Sequence, residues 1–269
     1  MDRHPVVAGQ FYPDDPRALH RQLNQYMPQG TAASTRPTIL AMLPHAGYIY
    51  SGSVAGETVA RTSLHETIIL LGPNHTGQGA PIGLWPDGSW LFPGGSLAVD
   101  ADLAETILQA SPLIAADYAS HTREHSLEVQ IPFLHAKNPD TRIVPITIAD
   151  PTFEILEKVG MALARAIRTA AKPVSLVVSS DMSHYVSANT AQKLDGMAID
   201  QIQALDPEGL YATVRHNHIS MCGVLPMTAG LIAARELGAR KAYLTRYATS
   251  GDVNGEYDQI VGYAGIIVE

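Results

Sequence analysis

The chain has 269 residues, of which 46% are hydrophobic and 16% charged, and this balance excludes an intrinsically disordered protein. A formal net charge of -8 with no cluster of lysine and arginine disfavours nucleic-acid binding. The single cysteine excludes an internal disulfide. Together with a first segment that does not resemble a signal peptide, that free thiol favours the cytoplasm. We also expect no membrane span, because no apolar stretch is long enough to cross a bilayer.

The first half of the sequence alternates helical segments with short apolar strands. After a helix at Pro16–Tyr26, the segment Met27–Pro37 has the composition of a linker. The segment Glu124–Lys137 is expected to begin as a helix that Pro132 ends or kinks. The elements between are the strand Thr38–Leu43, the helix Ser53–Leu64, the strand Glu66–Leu71, a hairpin over Ile82–Trp90 that turns at Pro86–Gly88, and the helix Ala101–Ala110.

The second half continues the same alternation. Strands that alternate with helices predict an α/β fold with three layers, α/β/α, and a largely parallel central sheet. The predicted elements here are the strand Arg142–Ala149, the helix Thr152–Ala170, the strand Val174–Ser179, the helices Thr190–Leu205, Pro207–Val214 and Val224–Leu237, and the strands Ala242–Tyr247 and Tyr263–Val268.

Two histidines directly follow apolar runs that are predicted to be buried strands. His45 ends TILAMLPH, and His75 ends ETIILLGPNH. Polar residues just beyond the ends of parallel strands lie in the crevice where α/β proteins bind ligands. Both histidines are therefore candidate metal ligands, with Asn74 as a neighbouring hydrogen-bond donor. The alternative for each is a turn that carries a partly exposed polar side chain.

Two further segments carry candidate chemistry. Asp181 and His184 follow the strand VSLVV, and a carboxylate beside an imidazole suits a general base and the group that orients it. The alternative is that Asp181 caps a helix and His184 is exposed. Cys222 is a candidate soft ligand for Fe(II), Cu(I) or Zn, or a nucleophile. Taken alone, a free cysteine is more often a small buried hydrophobe.

The segment HTREHSLE matches the H-x-x-E-H pattern of inverted zinc hydrolases. If it were helical, His121 and His125 would share a face and hold zinc while Glu124 polarised water. The alternative is the start of a helix with a satisfied pair of glutamate and histidine. His216 and His218, in RHNH, are expected to lie in an exposed loop.

Six motifs in this order together resemble the Memo family: FYP, PHAGYIYSG, GPNH, EHSLEVQIPFL, SSDMSHY and MCG. Prokaryotic members of the family are called AmmeMemoRadiSam system protein B. The motifs extend from Phe11 to Gly223, so the resemblance implies a single Memo-like domain over residues 1–269. It also implies a fold similar to the catalytic subunit of class III extradiol dioxygenases, which are non-haem Fe(II) enzymes.

The resemblance further implies a site. Two histidines and a cysteine, which replaces the carboxylate ligand of the dioxygenases, would hold Fe(II), with Cu or Zn as alternatives. The residues that the resemblance assigns are His45, His75 and Cys222 as metal ligands, Asp181 and His184 as catalytic residues, and Tyr48, Asn74, Glu124 and His125 as pocket residues.

Three functions are compatible with these residues. The first is a metal-dependent oxidoreductase that is related to the extradiol dioxygenases and acts on an unidentified small molecule or peptide. The second is a non-catalytic module that binds a metal or a peptide and works with AMMECR-type proteins and radical S-adenosylmethionine (radical SAM) proteins. The third is the zinc hydrolase built on His121, Glu124 and His125.

Overall fold

In a computed structural model, which describes residues 1–28 and 30–269, helices pack on both faces of one large β-sheet. The helices are α1 (Pro16–Tyr26), α2 (Tyr48–Arg61), α3 (Ala101–Ala110), α4 (Ala119–Thr122), α5 (Ile131–Lys137), α6 (Phe153–Thr169), α7 (Ala188–Gln203), α8 (Pro207–His216), α9 (Val224–Glu236) and α10 (Gly251–Asn254). The strands are β1 (Leu40–Leu43), β2 (Thr67–Pro73), β3 (Ile82–Leu84), β4 (Ser89–Phe92), β5 (Gly95–Val99), β6 (Ala115–Ala116), β7 (Arg142–Ile148), β8 (Val174–Ser179), β9 (His184–Val186), β10 (Ala242–Thr249) and β11 (Ile260–Val268).

The sheet has a parallel centre and antiparallel flanks. Its main strand order is β10-β11-β1-β8-β2-β7-β3-β6. Strands β1, β8, β2 and β7 run parallel to one another. Strand β11 is antiparallel to β1, and β3 is antiparallel to β7. The predicted α/β fold is confirmed, and the sheet is mixed, with its parallel strands at the middle.

The central strands are buried on both sides, which explains why they appear in the sequence as continuous apolar runs. Successive side chains of a strand point to opposite faces. In β1, Leu40 and Met42 join the core under α3, α6, α7, α8 and α9. Ala41 and Leu43 join the core under α1, α2 and α5. The sheet therefore separates two hydrophobic cores, and the molecule has the three expected layers.

The structure differs from the sequence prediction at one hairpin and at one proline. The hairpin is formed by β4 and β5 and turns at Pro93 and Gly94, where Gly94 has a φ of 96°. The predicted hairpin over Ile82–Trp90 is wrong, because β3 pairs with β7 instead. Pro132 lies in the first turn of α5 and so begins a helix. A missing N–H is tolerated there, because the first-turn amides have no partner within the helix.

The predicted linker Met27–Pro37 joins α1 to β1. It includes Gln29, which lies outside the described residues; its other residues are in no helix or strand. Among residues 1–28 and 30–269, no helix has both the length and the apolar character required to cross a bilayer.

Candidate metal centre

The site forms where three neighbouring parallel strands end. Strand β8 lies between β1 and β2, with Leu43 paired to Ser179 and Leu71 paired to Val178. The carboxyl ends of these strands therefore lie side by side. His45, Asp181 and His75 each follow one of these strands by two residues. The topology thus brings three of the predicted residues to the same edge of the sheet.

Three imidazoles meet at this edge. One ring nitrogen from each of His45, His75 and His125 lies within 4.8 Å of the others. The ring centroid of His45 lies 5.3 Å from that of His75 and 5.5 Å from that of His125. The rings of His75 and His125 are stacked, with their centroids 4.9 Å apart. His45 is buried, whereas the ring of His75 is partly open to solvent. This arrangement is suited to a metal ion that enters from the solvent side.

Hydrogen bonds fix which nitrogen of two rings is free. The hydroxyl of Ser179 donates to the Ser126 carbonyl at 2.6 Å, so it accepts from Nδ1 of His45 at 2.9 Å. Nδ1 of His75 donates to the Glu124 carboxylate at 2.9 Å. In both rings the lone pair therefore remains on Nε2, the atom available to a metal. Histidine ligands of metals are commonly oriented by such a second hydrogen bond.

Glu124 is a buried carboxylate that organises the site. Besides Nδ1 of His75, it accepts from the main-chain N–H of His75, and from those of His125 and Ser126 at 2.9 Å. Oε1 of Glu124, which accepts from Nδ1 of His75, also lies 3.4 Å from Nδ1 of His125. Burial alone would raise its pKa, but the hydrogen bond and charge of His75, with the main-chain donors, lower the pKa of Glu124 to about 2. A fixed negative charge therefore lies behind two of the imidazoles.

The histidines differ in their preferred charge. Burial, reinforced by the charges of His75 and His125, lowers the pKa of His45 well below its usual value. His45 is therefore neutral, which is the form that binds metals. Burial acts in the same direction on His75, but the hydrogen bond and charge of Glu124 outweigh it and raise the pKa of His75.

Cys222 reaches the site from the turn that precedes α9. Its Sγ lies 3.2 Å from Nε2 of His45 and accepts from the main-chain N–H of Asp181 at 3.2 Å. The turn packs closely on β8, since a Cβ on Gly223 would lie 2.6 Å from the Ser179 carbonyl oxygen. Burial, together with the charge of Asp181, raises the pKa of the thiol. A metal that binds here must therefore displace the thiol proton.

Asp181 and His184 do not form the predicted pair. One oxygen of Asp181 accepts from the main-chain N–H of His45 at 2.7 Å, and burial raises its pKa to about 6. Nδ1 of His184 donates to the carbonyl oxygen of Ser220 at 2.9 Å, and the Ser220 hydroxyl accepts from the His184 main chain. Ser220 thus orients His184, and Asp181 instead holds the turn that carries His45.

Two predicted pocket residues, Asn74 and Tyr48, make hydrogen bonds within the protein. The Asn74 side chain accepts from Thr76 and Gly77 and donates to the Gln78 carbonyl, so it shapes the loop after β2. Tyr48 is buried, and its hydroxyl donates to the Val129 carbonyl at 2.7 Å. Both polar groups therefore have hydrogen-bond partners within the protein.

The zinc site predicted from the H-x-x-E-H pattern, with His121 and His125 on one helical face, does not form. The helix α4 ends at Thr122, so His121 and His125 do not share a helical face. Nε2 of His121 lies 2.9 Å from the Gly83 carbonyl, and its ring packs against Trp85 and Trp90. His121 is thus a buried histidine of the core.

The sequence analysis did not identify Gln130 and Ser179, the residues that orient the His45 ring. Gln130 donates to the Pro44 carbonyl at 2.8 Å and to the Ser179 hydroxyl at 2.9 Å, so it supports the group that orients His45. Both residues lie inside the motifs EHSLEVQIPFL and SSDMSHY. A polar residue at a predicted buried position was the available signal, because such a side chain needs a partner.

Comparison with known proteins places the chain in a family. A family profile described as "Memo-like protein" matches residues 3–267. The chain belongs to the Memo family. Similar Memo proteins, all named "MEMO1 family protein", occur in Methanosarcina barkeri, with 40% identity over 99% of this chain and 100% of the relative, and in Aquifex aeolicus, with 39% identity over 98% of each. One from Methanopyrus kandleri is 37% identical over 99% of each chain.

A solved structure supports the architecture of this Memo protein. It is an uncharacterized protein, JW3007, from Escherichia coli K12, with a TM-score of 0.56. The match covers 85% of this chain and 98% of the other, at 13% sequence identity. At that identity the likeness concerns the fold alone.

Proposed function

We propose that this Memo family protein binds one transition-metal ion with His45, His75 and Cys222, and that His125 provides a further imidazole at the same place. The observation that carries the proposal is the convergence of three ring nitrogens within 4.8 Å, with the Cys222 sulfur 3.2 Å from Nε2 of His45. The donors lie on segments that are far apart in sequence, so their meeting is a property of the fold.

The donor set suits a redox metal. Imidazole nitrogens bind Fe, Cu and Zn, and a thiolate favours the softer of these ions. Two imidazoles with one anionic donor are also similar to the arrangement of two histidines and one carboxylate that holds non-haem Fe(II). We therefore propose Fe(II) as the resident metal, with Cu and Zn as the alternatives that metal analysis distinguishes. When bound, such an ion supplies redox chemistry at an edge that is open to a small ligand.

His184 provides the acid–base function in this proposal. Because its Nδ1 donates to the Ser220 carbonyl, Nε2 is the atom free to take up a proton. His184 follows Asp181 by three residues, beyond the carboxyl end of β8, which supports its place beside the same edge of the sheet. An oxidoreductase related to the extradiol dioxygenases is the activity this supports. Assay of anaerobically reconstituted protein with catechols tests it, and absence of turnover would leave metal binding without that reaction.

Metal analysis of protein purified anaerobically from its own host tests the binding site. We expect a near-stoichiometric metal content in the natural protein and a large loss in Cys222→Ser and His75→Asn, because each loses one donor. His184→Gln should retain its metal, since His184 is not a proposed ligand. The control is His216→Ala, which removes an exposed histidine at the end of α8. Equal metal content in all four variants would contradict the proposed ligand set.

A further inference from the structure

A short segment near the start of the chain, residues 3–12, runs from β4 to the start of α2 and contacts His125 of the candidate metal centre; we call it the strap. At one end, the N–H of Arg3 donates to the Ser89 carbonyl at 2.8 Å, and the N–H of Leu91 donates to the Arg3 carbonyl at 2.9 Å. At the other end, the Phe11 carbonyl accepts from the N–H of Tyr48 at 2.7 Å. The strap is thus fixed to β4 on one side and to the start of α2, close to His45, on the other.

Arg3 is a fully buried arginine, with 1% of its side chain exposed. Its guanidinium lies 2.8 Å from the Glu128 carboxylate and 4.3 Å above the ring of Trp90. Nε donates to the His121 carbonyl at 3.0 Å, and Nη2 donates to the Glu124 carbonyl. The planar, multiply donating guanidinium therefore holds both ends of the segment 121–124 and the side chain of Glu128 together.

The carboxylate of Glu128 completes the connection from the other side. It accepts from the main-chain N–H groups of Val6 and Val7 at 2.9–3.0 Å and from the Tyr12 hydroxyl at 2.8 Å. Breaking a buried ion pair by removing one partner is strongly unfavourable, because it leaves an uncompensated charge. The pair between Arg3 and Glu128 consequently locks the strap onto the segment that carries Glu124 and His125.

The strap contacts His125 directly and is connected to His75 through Glu124. Arg3 holds the main chain of Glu124, whose carboxylate orients His75. The ring of Phe11 packs edge-on against the ring of His125 at 4.9 Å. We propose that the strap is a positioning element of the metal centre, in which Arg3 fixes the turn of Glu124 and His125 so that His75 and His125 can bind one ion. This inference rests on the proposed metal site.

The substitution Arg3→Lys tests the positioning role. It keeps a positive charge beside Glu128, but a single ammonium cannot match the fork of donors that spans Glu128 and two carbonyl groups. We expect metal-free protein to bind Co²⁺ at least about 10-fold more weakly, as for changes in groups that orient metal ligands, with an altered visible spectrum of the bound ion. The matched control is Leu210→Ala on α8, which destabilises the core and should leave Co²⁺ affinity unchanged.

The outcomes separate the two proposals. If the natural protein does not bind Co²⁺, the proposed metal site itself fails. If it binds Co²⁺ and His75→Asn does not, but Arg3→Lys matches the natural protein in affinity and spectrum, the metal site stands and the positioning role is overturned. Should Arg3→Lys fail to fold, Phe11→Leu decides the question, because it removes the ring against His125 and leaves the ion pair. A several-fold loss of affinity supports the strap, and unchanged affinity overturns it.

Discussion

Single hydrogen bonds determine how the histidines of this site present their nitrogens. Ser179 accepts from His45, Glu124 from His75, and the Ser220 carbonyl from His184, in each case at Nδ1. Each ring therefore keeps Nε2 free, although the three acceptors are a hydroxyl, a carboxylate and a backbone carbonyl. Such a second hydrogen bond is common among histidines that bind metals.

His121 offers a test of how burial controls a histidine in this fold. Burial lowers the pKa of His121 from its ordinary value of 6.5 to about 4. The neutral ring is thus stabilised in the folded state, and this contribution is complete above pH 6.5 and is lost as the pH falls toward 4. At about 1.4 kcal/mol for each pKa unit, the free energy of unfolding should fall by up to about 3 kcal/mol in that range.

Urea unfolding of the metal-free protein between pH 7 and pH 4 measures this effect. The comparison is His121→Gln, which does not titrate and retains an N–H for the Gly83 carbonyl. We expect the variant to lose less stability than the natural protein as the pH falls, because other buried groups titrate equally in both. Parallel pH profiles for the two proteins would show that His121 makes no such contribution.

At the scale of elements, strand ends were predictable and irregular turns were not. The runs before His45, His75 and Asp181 are apolar enough to identify buried parallel strands, so their common edge follows from a general rule of α/β sheets. The turn of Glu124 and His125 has no periodicity to indicate its direction. Ser220, whose carbonyl accepts from His184, lies 36 residues from it in a segment with no recognisable motif. The sequence therefore favours Asp181, only three residues from His184, as the group that orients this ring.

Pro132 provides a test of where α5 begins. In the first turn of the helix it costs no hydrogen bond, and its fixed φ reduces the freedom of the unfolded chain. Pro132→Ala should therefore lower the free energy of unfolding by at least about 0.4–1 kcal/mol, because the buried ring also loses packing. Denaturant unfolding measures the change. A gain of roughly 3 kcal/mol would contradict this, since that is the penalty relieved when a proline is removed from a helix interior.

At the scale of the whole molecule, the proposed site exists only when the chain is folded. His45 and Cys222, whose side chains touch, are 177 residues apart, and the other donors come from further segments. The α/β fold class and its three layers were predictable from the sequence because they depend on repeated local patterns. The contact between these donors depends on the packing of α9 against β8 and so could not be read from local patterns alone.

A ligand that binds only the folded state stabilises it. At a free metal concentration 100 times the dissociation constant, the free energy of unfolding should rise by about 2.7 kcal/mol. Thermal unfolding with and without Co²⁺ should therefore show a higher midpoint with the metal. Cys222→Ser and His75→Asn should show a smaller shift, and His216→Ala should respond like the natural protein. A shift of equal size in all of them would indicate binding elsewhere.

The lock between Arg3 and Glu128 also has a consequence for biosynthesis. Its two partners are 125 residues apart, so Arg3 leaves the ribosome well before Glu128 has been made. At about 5–20 residues per second, the delay is on the order of ten seconds. Throughout that interval the guanidinium lacks its carboxylate partner. The strap can therefore adopt its complete native contacts only after the segment around Glu128 has been made.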